Sequence, residues 1–505
     1  MHHTHASVHP RGQARLRLAL ATATAAALTG GLLTLSTSAA TAADSTQVPF
    51  ADFNGDGKGD LVSSAPGAYV SGQKAAGQVV ALYGTSTGVS SAKRTTISQN
   101  TAGAPGTAES GDGFGSETAY ADFNGDGYDD LAVASPGEKV GSDTNGGTIA
   151  VLWGSRSGLT GKGVTVSDPA PSSHDFWGKT LAAGDFDGDG RDDLAVGNSS
   201  NTIYVFKRGF GSTGTPGGRY TVKPPITNGT NDFPYGPLRL TAGDVNGDRR
   251  TDLIVDGYET KTQNGWNTNY YVPGTSGGLS TASVKTLKAG VITAVGDVNG
   301  DGYGDIVSGA DWDTTTTGGG VPIPDSATGG KVNITYGSAS GPAGTTGITQ
   351  NSGNVPGTSE KGDRFGYEID LGDVNGDGYQ DLVVSSPSED IGGVTDTGQV
   401  TVLYGTANGI STTTGVQAFA QSTAGVPGND EKNDRFGMDV KLDDVTGDGR
   451  ADLVVGSYEN DLNGGLTYLP SNGTKITTTG SRSVSPSDSG VSTTGYPQFG
   501  VTFAN

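Results

Sequence analysis

The stretch Asp122-Phe123-Asn124-Gly125-Asp126-Gly127-Tyr128-Asp129-Asp130, followed at once by Leu131-Ala132-Val133, decides how this chain is read. Its side chains at positions 1, 3, 5 and 9 all end in oxygen, the donor a hard cation such as Ca2+ requires. The carbonyl of Tyr128 at position 7 adds a fifth donor, and Gly127 permits the sharp turn between them. The run recurs seven times. Position 1 is Asp52, Asp122, Asp185, Asp244, Asp297, Asp373 and Asp444, and position 3 is Asn54, Asn124, Asp187, Asn246, Asn299, Asn375 and Thr446. Position 5 is Asp56, Asp126, Asp189, Asp248, Asp301, Asp377 and Asp448. Position 7 is Lys58, Tyr128, Arg191, Arg250, Tyr303, Tyr379 and Arg450, and position 9 is Asp60, Asp130, Asp193, Asp252, Asp305, Asp381 and Asp452.

One such run could be a metal-free Asp/Asn/Gly turn. Seven copies with aspartate always at 1, 5 and 9 read as metal sites, so up to seven Ca2+ are expected. Loop 4 has Arg249 where the others have glycine, a cost of roughly 1–2 kcal/mol if that residue is left-handed. Loop 7 offers only the Thr446 hydroxyl at position 3. These two are expected to bind most weakly. An EF-hand or dockerin-type loop needs an acid at position 12, which here is Ser63, Val133, Val196, Val255, Ser308, Val384 or Val455, so both are excluded.

Loop starts are 70, 63, 59, 53, 76 and 71 residues apart. A Phe-Gly pair precedes several of them by eight residues, as in Phe114-Gly115, Phe365-Gly366 and Phe436-Gly437. Behind each loop come an apolar run such as Leu382-Val383-Val384, a Gly/Ser/Ala/Pro corner such as Ala134-Ser135-Pro136-Gly137, and a third strand ending near an aromatic and glycine. A weaker fourth segment completes the unit. Four short strands per repeat without helical periodicity predict an all-β protein, and seven such units predict a seven-bladed β-propeller whose closure protects strand edges. Residues 499–505 read as a first strand with no loop behind it, while loop 52–60 has no Phe-Gly before it. The C-terminal segment is therefore expected to complete blade 1 and latch the ring.

Residues 1–42 read as a secretory signal peptide, with Arg11, Arg15 and Arg17 before an Ala/Leu-rich stretch at 18–35 and a small-residue cleavage pattern at Ala40-Thr41-Ala42. Residues 43–505 then form the propeller, secreted and extracellular. No later stretch approaches the ~20 apolar residues of a membrane span. The chain has no cysteine, so an exported form lacks disulfide staples. Its net charge is −22, most of it carried by the loops, which argues against a nucleic-acid partner. A monomer is expected.

Phe-Gly, then a DFNGDGYDD-like loop, then a Gly-Ala-Pro-like corner resembles the FG-GAP repeat of integrin alpha-subunit N-terminal propellers and their exported bacterial relatives. Repeat 3 has Phe176-Trp177-Gly178, repeat 4 has Tyr235-Gly236 one position early, and repeat 5 has Ala289-Gly290. The resemblance implies a propeller with calcium loops on one face and a ligand surface on the other. It implies activity only weakly. The similar propeller of phospholipase D enzymes that cleave lipid anchors accompanies a separate catalytic domain, which this chain has no room for.

Catalytic candidates are sparse. Outside the leader the sole histidine is His174, beside Asp175, and the GxSxG matches around Ser86 and Ser276 fall in repeat turns. The preferred reading is a secreted calcium-binding propeller acting as an extracellular binding or adhesion module for a protein or glycan ligand. The alternative is a secreted hydrolase or polysaccharide-acting enzyme on the same ring. Aromatics in two insertions, 258–271 (Trp266, Tyr270, Tyr271) and 311–330 (Trp312), are candidate ligand contacts. Lys58-Gly59-Asp60 and Lys361-Gly362-Asp363 resemble adhesive tripeptides, the first locked inside a loop.

Overall fold

Each apolar run behind an acidic loop becomes the second strand of an antiparallel sheet, buried on both faces because a sheet flanks it on either side. The structure, a computed structural model, describes residues 50–229, 235–262, 264–315, 320–459 and 461–504. The signal peptide expected at 1–42 lies outside them. Among the described residues there are seven sheets and, apart from a 3-10 turn at Thr281–Ser283, no helix.

Six sheets have four strands in chain order. Blade 2, for example, runs Glu117–Ala121, Asp130–Ser135, Thr148–Leu152 and Gly163–Thr165, paired antiparallel throughout. Blade 1 has three regular strands, Leu61–Ala65, Gln78–Leu82 and Arg94–Ile97. Its inner position is shared by two distant segments. Phe503 bridges Ser63, the Ser64 N–H donates to the Thr502 carbonyl at 2.9 Å, and Ala504 N–H donates to Val62 at 3.1 Å. Ala51 bridges Asp60 beside them. The seven-bladed propeller read from the sequence is therefore the observed fold.

The core lies between blades. Seven apolar clusters occupy the seven interfaces, the last joining blade 7 to blade 1 through Val454, Leu466, Val80, Leu82 and the buried rings of Phe499 and Phe503. The Phe-Gly pairs stitch these interfaces. Phe114, Phe365, Phe436 and Phe499 are buried, and each donates its N–H to the second-to-third-strand loop of the preceding blade, at Ala76, Gly329, Thr397 and Asn463, over 2.7–3.1 Å. In repeat 3 this role falls to Trp177, whose N–H reaches Gly146. The following glycine cannot be replaced. Gly366 has φ +90°, and a Cβ there would stand 2.6 Å from the Lys331 carbonyl.

Antiparallel order sorts the connections onto two faces. The acidic loops and the third-to-fourth-strand turns lie at one end, and the second-to-third loops and blade-to-blade connections at the other. The innermost strands surround an axial cavity of about 130 Å³. Arg239 of blade 4 lies 3.6 Å from Glu117 of blade 2 and 3.5 Å from Glu368 beside blade 6, while Lys441 of blade 7 faces Asp370 of blade 6 at 3.8 Å.

Candidate metal centres

Within each loop the backbone fixes the acids one by one. The position-1 aspartate accepts successive N–H groups. In loop 2, Asp122 Oδ1 takes those of Gly125 and Asp126 at 2.7 and 3.0 Å, and Oδ2 takes that of Gly127 at 2.8 Å. The other six loops repeat this fold-back, with Asp56 and Gly57 N–H on Asp52 and Gly447, Asp448 and Gly449 N–H on Asp444. The position-5 aspartate then accepts the position-7 N–H at 3.0–3.2 Å, from Lys58 onto Asp56 through to Arg450 onto Asp448. Such a chain of Asx turns holds alternate side chains on the inside of one bend. Arg249, at position 6 of loop 4, is left-handed with φ +66°, like the glycines it replaces.

Loop 3 shows what the bend can gather, since it alone has aspartate at position 3. Carboxylate oxygens of Asp185, Asp187 and Asp189 lie within 4.8 Å of one another, a separation one ion can span at the 2.3–2.6 Å typical of Ca2+. Position-3 amides also reach the position-9 carboxylates. Asn54 Nδ2 donates to both oxygens of Asp60, and Asn124 Nδ2 to Asp130 at 3.3 Å. The donor set is all oxygen, and it fits a hard divalent cation.

Position 9 does something the spacing does not reveal. Its carboxylate is buried and ties the loop to the end of the third strand. N–H groups of Gly84, Gly154, Gly274, Gly337, Gly405 and Ser471 donate to Asp60, Asp130, Asp252, Asp305, Asp381 and Asp452 at 2.8–2.9 Å, and Arg208 N–H donates to Asp193. Burial pushes these acids up, to about 8 for Asp60, Asp130, Asp193 and Asp381 and about 7 for Asp252, Asp305 and Asp452.

Position 7 also has a role beyond its carbonyl. The side chain of each position-7 residue covers the position-4 glycine of the preceding loop. Tyr128 lies on Gly55, Arg191 on Gly125, Arg250 on Gly188, Tyr303 on Gly247, Tyr379 on Gly300 and Arg450 on Gly376, and Lys58 closes the circle on Gly447. In each case a Cβ on the glycine would stand 2.6–3.4 Å from the covering side chain. Backbone bonds run alongside. The position-8 N–H of Gly59, Asp129, Thr251, Gly304, Gln380 and Ala451 donates to the position-1 carbonyl of the preceding loop at 2.8–3.2 Å. The loops thus form a belt around one face.

The other sequence candidates separate from any such site. His174 is buried against Trp177 and Tyr204, with Asp168 rather than Asp175 nearest its Nε2, at 3.5 Å. Ser86 sits in the turn closed by Thr85 and Gly88. Tyr270 and Tyr271 are buried strand residues, so they are not available as loop contacts, and Tyr271 OH donates to Asp252 at 3.1 Å. Trp266 and Trp312 are half-buried. Asp60 and Asp363 are buried, so neither Lys-Gly-Asp tripeptide presents its carboxylate.

Sequence comparison with known proteins agrees with the repeat. The FG-GAP repeat model matches residues 46–82, 114–152 and 365–403, and the FG-GAP-like repeat model matches 185–255. Phosphatidylinositol-glycan-specific phospholipase D of Mus musculus is 37% identical over 146 residues, covering 29% of this chain and 17% of that protein. Integrin alpha-PS2 of Drosophila melanogaster is 26% identical over 273 residues, covering 53% of this chain and 15% of that protein. The chain thus spans less than a fifth of either relative. The solved exotype rhamnogalacturonan lyase YesX aligns with TM-score 0.40 and 14% identity over 83% of this chain and 71% of that one. The chain therefore carries FG-GAP repeats on a seven-bladed propeller, consistent with a propeller like that of integrin alpha N-termini.

Proposed function

We propose that this protein is a secreted, calcium-clamped propeller that acts as an extracellular binding or adhesion module. The observation that carries the reading is the belt itself. Seven oxygen-lined bends of one design are tied to one another and to their third strands on a single face. Outside loop 3, whose acids pair with Lys207 and Arg208, Ca2+ held by positions 1, 3, 5 and 9 and the position-7 carbonyl would neutralise the carboxylates of each bend and fix it; its role is structural. The opposite face is built from connections that differ in length and sequence from blade to blade, the kind of surface that carries recognition. Its ligand is a protein or glycan, in keeping with the integrin resemblance.

The test is a glycan and extracellular-protein array probed with calcium and with chelator. Saturable binding that is lost on chelation is the expected result. Turnover of ester, phosphodiester or polysaccharide substrates, abolished by replacing an acid outside the seven loops, would instead establish the hydrolase reading suggested by the phospholipase D relative.

A further inference from the structure

Blade 3 departs from the other six at one place. Its third strand runs on through Lys207 and Arg208, at positions equivalent to Tyr83-Gly84, Trp153-Gly154, Pro273-Gly274, Tyr336-Gly337, Tyr404-Gly405 and Pro470-Ser471, where the third strands of the other blades have ended. The equivalence is fixed by hydrogen bonding, because Arg208 N–H reaches Asp193 as those glycines and Ser471 reach their own position-9 aspartates. Arg208 adopts φ +61° to do so, a conformation that favours glycine. None of the six other blades carries a charge at either position.

Both charges are spent on loop 3. The Lys207 ammonium pairs with Asp187, and Arg208 Nε lies 2.5 Å from Asp189 Oδ2. Asp187 is the only acid at position 3 in the seven loops, and its side chain is just 4% exposed. Three carboxylates crowded within 4.8 Å of one another need a compensating charge. Here two fixed cations from the neighbouring strand supply the charge of one divalent ion, and they reach the loop through covalent chain rather than from solution.

We propose that loop 3 is a calcium-independent clamp, with Lys207 and Arg208 taking the place that Ca2+ takes in the neighbouring loops. This rests on the calcium reading of those neighbours. It means that one blade keeps its loop ordered when calcium is scarce, and gives the belt a fixed segment from which the adjacent loops can order.

Calorimetric titration of the chelator-stripped full chain with Ca2+ tests it through differences in stoichiometry. Asp126→Ala in loop 2 should lose one equivalent, while Asp187→Ala in loop 3 should lose none. Lys207→Met should gain one equivalent. The same variant should melt below the native chain in chelator and recover that loss in millimolar Ca2+. Loss of an equivalent in Asp187→Ala, or an unchanged count with Lys207→Met, would overturn the proposal. A native chain that takes up no calcium at all would overturn the calcium reading and the distinction between loops together.

Discussion

Asp126 and Asp130 stand four residues apart in one loop and should fail in different ways. Asp130 is buried, with Oδ1 accepting Gly154 N–H and Oδ2 accepting Asn124 N–H. Removing its carboxylate strands two backbone donors at about 1–3 kcal/mol each. Asp130→Ala should therefore cost roughly 2–5 kcal/mol even in chelator, measured by urea unfolding. Asp126 is exposed and accepts only its own Tyr128 N–H, so Asp126→Ala should cost under about 1 kcal/mol in chelator and declare itself as one calcium equivalent lost. Equal costs in chelator would show that position 9 is no more structural than position 5. The contrast marks how far the sequence could be read at this scale. Oxygen count and spacing identify the acids, but Asp130 owes its second task to Gly154, 24 residues on, which no local pattern discloses. Tyr128 was legible only as a carbonyl donor, because the glycine its ring covers belongs to another repeat.

The strands were legible wherever an apolar triplet follows a loop, since burial on both faces writes an unbroken apolar run. Blade 3 was harder to read. Its third strand, Ile203–Phe210, carries Lys207 and Arg208 and a register shift between Lys207 and Phe210, so neither its length nor its charges match the repeat. The inner edge of blade 1 poses the sharpest question for an element, because residues 502–504 cover it without covalent connection to that blade. Phe503 is buried in the blade 7–blade 1 cluster, and its N–H donates to Asp439 Oδ2 at 2.6 Å. Phe503→Ala should cost about 3–5 kcal/mol from lost burial and cavity formation. Deleting residues 499–505 should cost more, because it also strips the partners from the inner edge of Leu61–Ala65, which stays paired to Gln78–Leu82 on its other side, and leaves that edge open. Scanning calorimetry should then show a lower and broader transition; an unchanged melt would reject the latch.

At the scale of the whole ring, closure brings together groups that are strangers in sequence. Glu117, Arg239 and Glu368 come from blades 2, 4 and 6, and only a seven-fold circle brings both acids to Arg239, which with Glu368 lines the axial cavity. None was a candidate from the sequence, because nothing local marks an inner-strand charge as facing the axis. The cluster holds more acid than base, and this has a pH signature of definite sign. Burial raises the Glu117 carboxyl to about 7, with Arg239 only partly opposing it. Asp439 is likewise pushed up to about 7, and Glu368 rises well above its ordinary value from burial and from its acidic neighbour Asp439. A raised carboxyl pKa means the folded state binds the proton more tightly than the unfolded chain. Stability is therefore greatest below the unfolded value near 4.5, falls as pH rises toward 7, and is level above it. At about 1.4 kcal/mol per pKa unit, Glu117 alone should cost on the order of 3–4 kcal/mol by pH 8. Melting temperatures in chelator should decline between pH 5 and pH 8. The buried position-9 aspartates titrate in the same range, so the native-minus-variant difference isolates Glu117. Glu117→Gln leaves Glu368 to pair with Arg239 and should flatten the decline, gaining stability at pH 8 relative to pH 5. A variant whose melting curve tracks the native slope across that range would show that Glu117 is ionised at no cost, and that Arg239, rather than protonation, compensates its charge.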